Sequence, residues 1–474
     1  MPFEKINTER VFYYFSEICK IPHGSGNMGK IADYCENFAK NHSLNYHRDG
    51  ADNVIIYKPS KNYPNDTVIL QGHIDMVCQK ESDCDIDFLK DGVKTFTDGD
   101  FLKAQGTTLG ADNGIAVAMI LALLESDLSL PSIEAVFTTD EEIGMIGAAK
   151  LDTFLLKGTK MINLDSEEDD TLTVSCAGGS DFTALLPITH TENKGYEVTV
   201  TLKGLKGGHS GVEIDKKRVN ANILVGRFLN HLKSNIDLQI ISINGGDKAN
   251  AIVGACEIKV CVFDKDKFLS LSKEYLAVIK NEISAREPNF NYTAEIGEYG
   301  SYKTVQESQK IISILLNCPN GIMEMSAEIE GLVETSLNLG VLKTENKNIF
   351  LQFALRSNKQ SALDFLEQKL TSFFGLFGCK TSVGGKYPTW EFKENSDLQK
   401  LYIDTYYEQT NRQVKVEAIH AGLECAVFSD KIKNLDCIAI GPNVFDAHTV
   451  NESLSISSAE KIFIILIKLL QKLK

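Results

Sequence analysis

Over its first third, the chain alternates between two hydrophobic textures. Apolar positions recurring every three or four residues predict helices over 11–21, 29–41 and 114–124, the last of them apolar on nearly every side. Short continuous apolar runs predict buried strands at 54–57, 67–71, 134–139 and 161–165. Strands alternating with helices imply an α/β layer fold, in which ligands bind beyond the carboxyl ends of the strands.

From Tyr196 the texture changes. Half-exposed strands are expected at 196–202, 251–263 and 291–296, with amphipathic helices at 218–232 and 267–283. A second pass follows, with helix 309–316, strands 335–342 and 349–356, and helix 362–374. We read this as an inserted α+β lid domain, a βαβ sandwich duplicated with little sequence identity. An insertion of about two hundred residues is long for one small sandwich. Near Tyr387-Pro388 the α/β texture resumes, with helix 396–410 and strands 414–419 and 437–440. The expected division is therefore 1–185 for the first part of a catalytic domain, 186–386 for the lid, and 387–474 for the rest of the catalytic domain.

Composition narrows the class. A chain of 474 residues with 43% hydrophobic and 24% charged residues reads as soluble and two-domain. A net charge of −15 argues against nucleic acid and against an anionic membrane surface. The apolar tail over 462–470 is short and interrupted by Lys468, so it reads as a final packed helix and not as a membrane span. Residues 1–7 lack the layout of a signal peptide. Eleven cysteines, an odd number without a CxxC pair, fit buried thiols in a reduced, cytoplasmic compartment. Cys78 and Cys84, flanking an acidic loop, match no zinc ribbon.

The chemistry concentrates after the strands. In Gln71-Gly72-His73-Ile74-Asp75, alternation puts His73 and Asp75 on one side of an extended segment. A His beside an Asp at a strand end is often a simple structural pair, but a metal-bound imidazole also needs an acceptor behind it. Gly110-Ala111-Asp112-Asn113-Gly114 precedes the apolar helix, where a carboxylate commonly serves as an N-cap. Asp140-Glu141-Glu142 packs acids after a buried strand, Asp165 follows another, and His448 follows a strand and the Gly441-Pro442 turn. Acids converging in this way repel one another unless a cation joins them. Two imidazoles and several carboxylates suit zinc, with cobalt or manganese as substitutes. One bridging carboxylate would hold a metal pair about 3.5–4 Å apart.

As a set, and in this order over nearly the whole chain, these motifs resemble the dizinc aminoacylase/carboxypeptidase clan. Asn113, where many relatives carry a second Asp, and His420-Ala421-Gly422-Leu423-Glu424-Cys425 are similar to its aminoacyl-histidine dipeptidase branch. The resemblance implies two zinc ions per chain, one on His73 and Asp165, the other on Glu142 and His448, with Asp112 bridging. It also implies that Asp75 orients His73, that Glu141 is the general base and proton donor, and that the Asp112–Asn113 peptide bond is cis. In the lid, Gly204-Leu205-Lys206-Gly207-Gly208-His209-Ser210-Gly211 resembles the loop whose His stabilises the oxyanion. Asn250, Arg356, Gly422 and Glu424 would contact substrate, Arg356 taking the terminal carboxylate and Glu424 the amine. The implied activity is hydrolysis of unblocked dipeptides, Xaa-His dipeptides such as carnosine included, by a metal-activated water. Deacylation of N-acyl amino acids and an inactive binding or scaffold relative are the alternatives. The expected partner is a small peptide; monomer and homodimer both stay open, as does action of His209 within or between chains.

Overall fold

A computed structural model of the chain describes residues 8–63 and 66–473. The stretch 1–7, whose layout was weighed above, lies outside the described residues. The described residues form two compact units. One holds the residues up to Cys176, Trp390–Ala418 and those from Leu423 onward; the other holds Ala177–Thr389 and Ile419–Gly422.

The first unit is built on an eight-stranded sheet in the order Asn45–Arg48, Val54–Lys58, Ser132–Thr138, Thr67–His73, Lys160–Asn163, Asp436–Ala439, Thr171–Cys176, Lys415–Ile419. Its four middle strands, from Ser132–Thr138 to Asp436–Ala439, run parallel, so their carboxyl ends face one way. Both faces are covered, which explains why these strands read as continuous apolar runs. Helix Ala111–Glu125 is buried along almost its whole length and packs on helix Glu9–Cys19 and strand Thr67–His73. The apolar tail forms helix Ile456–Lys472, with Ile462, Phe463, Leu466 and Leu470 in the core. No helix among the described residues is long and apolar enough to cross a membrane. A four-stranded sheet, ordered Val444–Phe445, Ser453–Ser455, Phe101–Ala104, Thr95–Asp98, gave no clear period in the sequence because its strands are two to four residues long.

The second unit is built on a nine-stranded sheet with helices packed on it around one large apolar core, beside a two-stranded sheet and a small second cluster of Ile214, Ile252 and Val333. Its path runs Asn291–Val305, His190–Lys203, Cys256–Val262, Leu238–Gly245, then Val333–Thr344, Asn348–Ser357, Gly178–Pro187, Lys380–Tyr387, with Gly321–Met325 paired to Val333–Thr344 off that path. Read outward from the centre, the two halves have the same order. They meet where Asn244 and Gly245 pair with Lys343 and Leu342. Helices Ala221–Lys233 and Ser308–Asn317 pack together, and Gly226 permits this, since a Cβ there would stand 2.5 Å from the Leu315 Cβ. The duplication is thus a repeat within one continuous sheet and not a pair of separate sandwiches.

Three expectations need correction. The boundary at 185 falls inside strand Gly178–Pro187, which belongs to the second unit because it pairs with Asn348–Ser357 and Lys380–Tyr387. Ile419–Gly422 also belongs there, inside what was read as the returning catalytic segment. The strand expected over 251–263 is two, Ala251–Ile252 and Cys256–Val262, because residues 253–255 turn out of the ladder.

Gly72 marks a close approach of strand to helix. A Cβ there would lie 2.5 Å from Asn113 Oδ1 and 3.0 Å from the Ala116 Cβ. Gly72→Ala is therefore expected to cost about 1–3 kcal/mol by overpacking. Denaturant unfolding measures it, and wild-type stability would show that the helix yields freely.

Candidate active site

The parallel strands deliver the acidic and imidazole groups to one edge of the first unit. Strand Thr67–His73 ends in His73, Ser132–Thr138 leads to Glu141 and Glu142, and Lys160–Asn163 leads to Asp165. Asp112 stands at the head of helix Ala111–Glu125, and the Asp112–Asn113 peptide bond is cis. His448 sits in the loop between strands Val444–Phe445 and Ser453–Ser455.

These groups meet around the Asp112 carboxylate. Its Oδ1 lies 3.1 Å from His73 Nε2, and its Oδ2 lies 3.0 Å from His448 Nε2. His73 Nε2 is also 3.5 Å from Asp165 Oδ1, and His448 Nε2 is 3.0 Å from Glu142 Oε2. Two donor groups result, His73 with Asp165 and His448 with Glu142, and one carboxylate reaches both. Ligand atoms of His73, Asp112 and Glu142 all lie within 4.8 Å of one another. Glu142 Oε1 is buried with no hydrogen-bond partner. Crowded carboxylates, two inward-facing imidazole nitrogens and an unsatisfied buried oxygen fit a divalent-cation site in donor type and placement.

Asp75 works from behind. It is buried, and its backbone oxygen and Oδ1 lie 3.0 and 3.4 Å from His73 Nδ1. Its carboxylate also accepts the Glu141 and Glu142 N–H groups at 3.0 and 3.4 Å and the Ser25 hydroxyl at 2.8 Å. One carboxylate therefore fixes an imidazole and the backbone of two acids. The Ser25 link carried no signal in the sequence, being fifty positions away in an irregular loop.

The cap role open to Asp112 belongs to Glu452. This buried side chain accepts the N–H groups of Leu109, Gly110, Ala111 and Asp112 at 2.7, 3.0, 2.8 and 3.3 Å. Sequence reading missed it, because the cap lies 340 residues from the helix it serves. Glu424 stands beneath the strand ends. It opens helix Glu424–Lys431, fully buried, and accepts from Gln71 Nε2 at 2.5 Å and Thr138 Oγ1 at 2.6 Å. Its other oxygen, Oε1, is buried with no hydrogen-bond partner, and burial pushes the carboxyl up to about 8.

Charge follows geometry. Burial opposes the charge on His73, but Asp165, Asp112 and Asp75 outweigh it and hold the imidazole well above its ordinary pKa. Hydrogen bonds to Asp112 and Glu142 push the half-exposed His448 up to about 11. Burial raises Asp165 to about 6, with Asp112 and Glu142 adding to it. Burial likewise lifts Glu141 well above the carboxylate range, helped by Asp165, Glu424 and Glu142 against His73.

The remaining candidates lie in the second unit. His209 belongs to the two-residue strand Gly208–His209, paired with Ala251–Ile252. Its Nδ1 accepts the N–H groups of Gly211 and Val212, each at 3.2 Å, which leaves the proton of a neutral ring on Nε2. Arg356 ends its strand 3.4 Å from that nitrogen, held by Tyr387 Oη at 2.8 Å, with Nε buried and without a partner. Two donors converging in this way suit an anion. Asn250 is exposed beside the His209 loop, its backbone oxygen accepting the Ser210 N–H at 2.9 Å. Gly422 lies on Ile419–Gly422, where the buried His420 bonds Ser336 Oγ at 2.7 Å and Asn358 Oδ1 at 3.2 Å.

The chain belongs to peptidase family M20/M25/M40, whose sequence profile matches residues 69–472. It is 36% identical over 477 residues to the cytosol non-specific dipeptidase of Escherichia coli (strain K12), covering 99% of this chain and 98% of that protein. The crystal structure of aminoacylhistidine dipeptidase from Vibrio alginolyticus matches with a TM-score of 0.90 at 35% identity, covering 100% of this chain and 98% of that one. Aminopeptidase PepT from Bacillus cereus ATCC 10987, at 14% identity and a TM-score of 0.56 over 99% of each chain, shares the fold alone.

The electrostatics make a prediction. Both imidazoles have raised pKa values in the cation-free protein, so a cation that uses their lone pairs must displace protons. Adding zinc at neutral pH is expected to release about two protons, and apparent affinity is expected to weaken as pH falls, more steeply once Asp165 protonates. Calorimetric titration in buffers of different ionisation enthalpy measures this; binding without proton release would contradict it.

Proposed function

We propose that the protein is a metal-dependent dipeptidase that hydrolyses unblocked dipeptides, Xaa-His dipeptides such as carnosine among them. The observation that carries this reading is the Asp112 carboxylate reaching His73 with one oxygen and His448 with the other, a second acid lying against each of the same imidazole nitrogens. The names of two full-length relatives, both dipeptidases, support the substrate class. The cytosolic relative also supports a cytoplasmic placement.

In this reading two zinc ions, with cobalt or manganese as substitutes, are held by His73 and Asp165 on one side and Glu142 and His448 on the other, with Asp112 shared. When bound, they supply Lewis acidity and a water of lowered pKa. The protein's own groups do the rest. Asp75 keeps the His73 ring turned with Nε2 inward. Glu141, its basicity raised by burial, takes the proton of the attacking water and returns it to the leaving amine. By resemblance, the Nε2–H of His209 serves the oxyanion, where charge develops only in the transition state. Arg356 serves the terminal carboxylate, for which its buried fork is suited, and Asn250 and Gly422 contact the peptide.

Glu141→Ala is expected to lower kcat about 10²–10⁴-fold. Metal content, measured by atomic emission on the same sample, should stay at the wild-type level; turnover near wild type would remove Glu141 from this role. A second reading is an N-acyl amino acid deacylase. Zinc-loaded protein offered Ala-His, β-Ala-His and N-acetyl amino acids should turn over the free dipeptides. Hydrolysis of the acetylated compounds alone would sink the dipeptidase assignment, and hydrolysis of neither set would favour a non-catalytic relative.

A further inference from the structure

We infer that Glu452 is a positioning residue of the metal centre, acting through the backbone of Asp112; the inference rests on the metallopeptidase reading above. The first turn of a helix leaves its leading N–H groups without intrahelical partners. Here three of those donors, from Gly110 to Asp112, together with the preceding Leu109 N–H, are gathered by the two oxygens of one buried carboxylate. The helix dipole favours a negative charge at that end, and two carboxylates compete for it, Asp112 and Glu452. Because Glu452 fills the cap, both oxygens of Asp112 stay free to face His73 and His448.

Chain connectivity strengthens the point. Glu452 follows His448 by four residues, across a tight turn in which Thr449 N bonds Asp446 O and Glu452 N bonds Thr449 O, each at 3.2 Å. One short segment therefore presents an imidazole to the side chain of Asp112 and a carboxylate to its backbone. The two contacts set the distance between His448 and Asp112, although these residues are 336 apart in sequence. An amide cannot replace the carboxylate, because one of its two terminal groups is a donor and would face N–H groups.

A purely structural cap would move stability alone, whereas a positioning residue also moves metal affinity and kcat. In Glu452→Gln, zinc affinity measured by chelator competition is expected to fall about 10–100-fold. kcat should fall with KM unchanged, as for an interaction made only in the transition state. Ser396→Ala is the control: Ser396 Oγ caps helix Asp397–Thr410 in the same unit, accepting the Gln399 N–H at 3.0 Å. That variant should melt at a lower temperature with wild-type zinc affinity and kcat. Glu452→Gln behaving like the control would overturn the inference. If Glu452→Gln does not fold, Glu452→Asp keeps both oxygens on a shorter arm and is read in the same way; failure of both to fold would also overturn it, making Glu452 a folding determinant. A wild-type protein that holds no zinc would instead bring down the metallopeptidase reading on which the inference rests.

Discussion

Asp112 offers one oxygen to His73 and the other to His448, while Asp165 and Glu142 face the same two Nε2 atoms. Charges this close interact strongly once water is excluded. Carboxylates so crowded are tolerable only with positive charge among them. In the cation-free protein that charge is protonic, as the raised pKa values of both imidazoles show. Much of the surrounding first unit can be read as the means of holding these groups in place against their mutual repulsion. The parallel strands supply the convergence, since neighbouring carboxyl ends open on one edge.

Rigidity comes from buried polar groups that each serve two elements. Asn113 Oδ1 accepts the His73 N–H at 3.2 Å, and its Nδ2 donates to Leu164 O at 2.8 Å. A carboxylate at that position would accept from His73 but would set lone pairs against the Leu164 carbonyl. This gives a local reason for Asn at position 113. Gln71 repeats the device, accepting from Asn163 at 2.6 Å and donating to Glu424 and Thr138 at 2.5 and 3.1 Å. Three strand ends are thus tied by side chains that are almost wholly removed from water, where an unmade hydrogen bond is costly.

The α/β frame was legible because its strands are buried on both faces and its helices are periodic. His73, Glu141, Glu142 and Asp165 were legible because each follows such a strand. What lacked local signal was whatever depends on distant partners. Glu452 and Ser25 act on backbone or side chains across long sequence separations, and no spacing rule reaches that far. The surroundings of Glu424 were hidden for a related reason: its Gly-rich approach looks like a loop, yet it opens a helix, and two donors from other strands draw one of its oxygens inward. Strand Gly178–Pro187 was missed because its partners, Asn348–Ser357 and Lys380–Tyr387, come far later in the chain, so alternation alone could not assign it to a sheet.

The duplicated sheet shows how a repeat can lose symmetry where chemistry is needed. In the first half, strand His190–Lys203 runs into the loop that carries His209. Its counterpart by position, Gly178–Pro187, runs instead into the crossover to His190–Lys203, so no second His loop exists at the equivalent place. The second half contributes Arg356 and Tyr387 from strands Asn348–Ser357 and Lys380–Tyr387. Loops of the first half are drawn over the second by Asn338, whose Nδ2 donates to Ala249 O and Ala251 O at 3.0 and 2.8 Å. That seam is what sets His209 beside Arg356. Repetition supplies a broad core at low cost in new topology, and the break in repetition sets two different donors side by side.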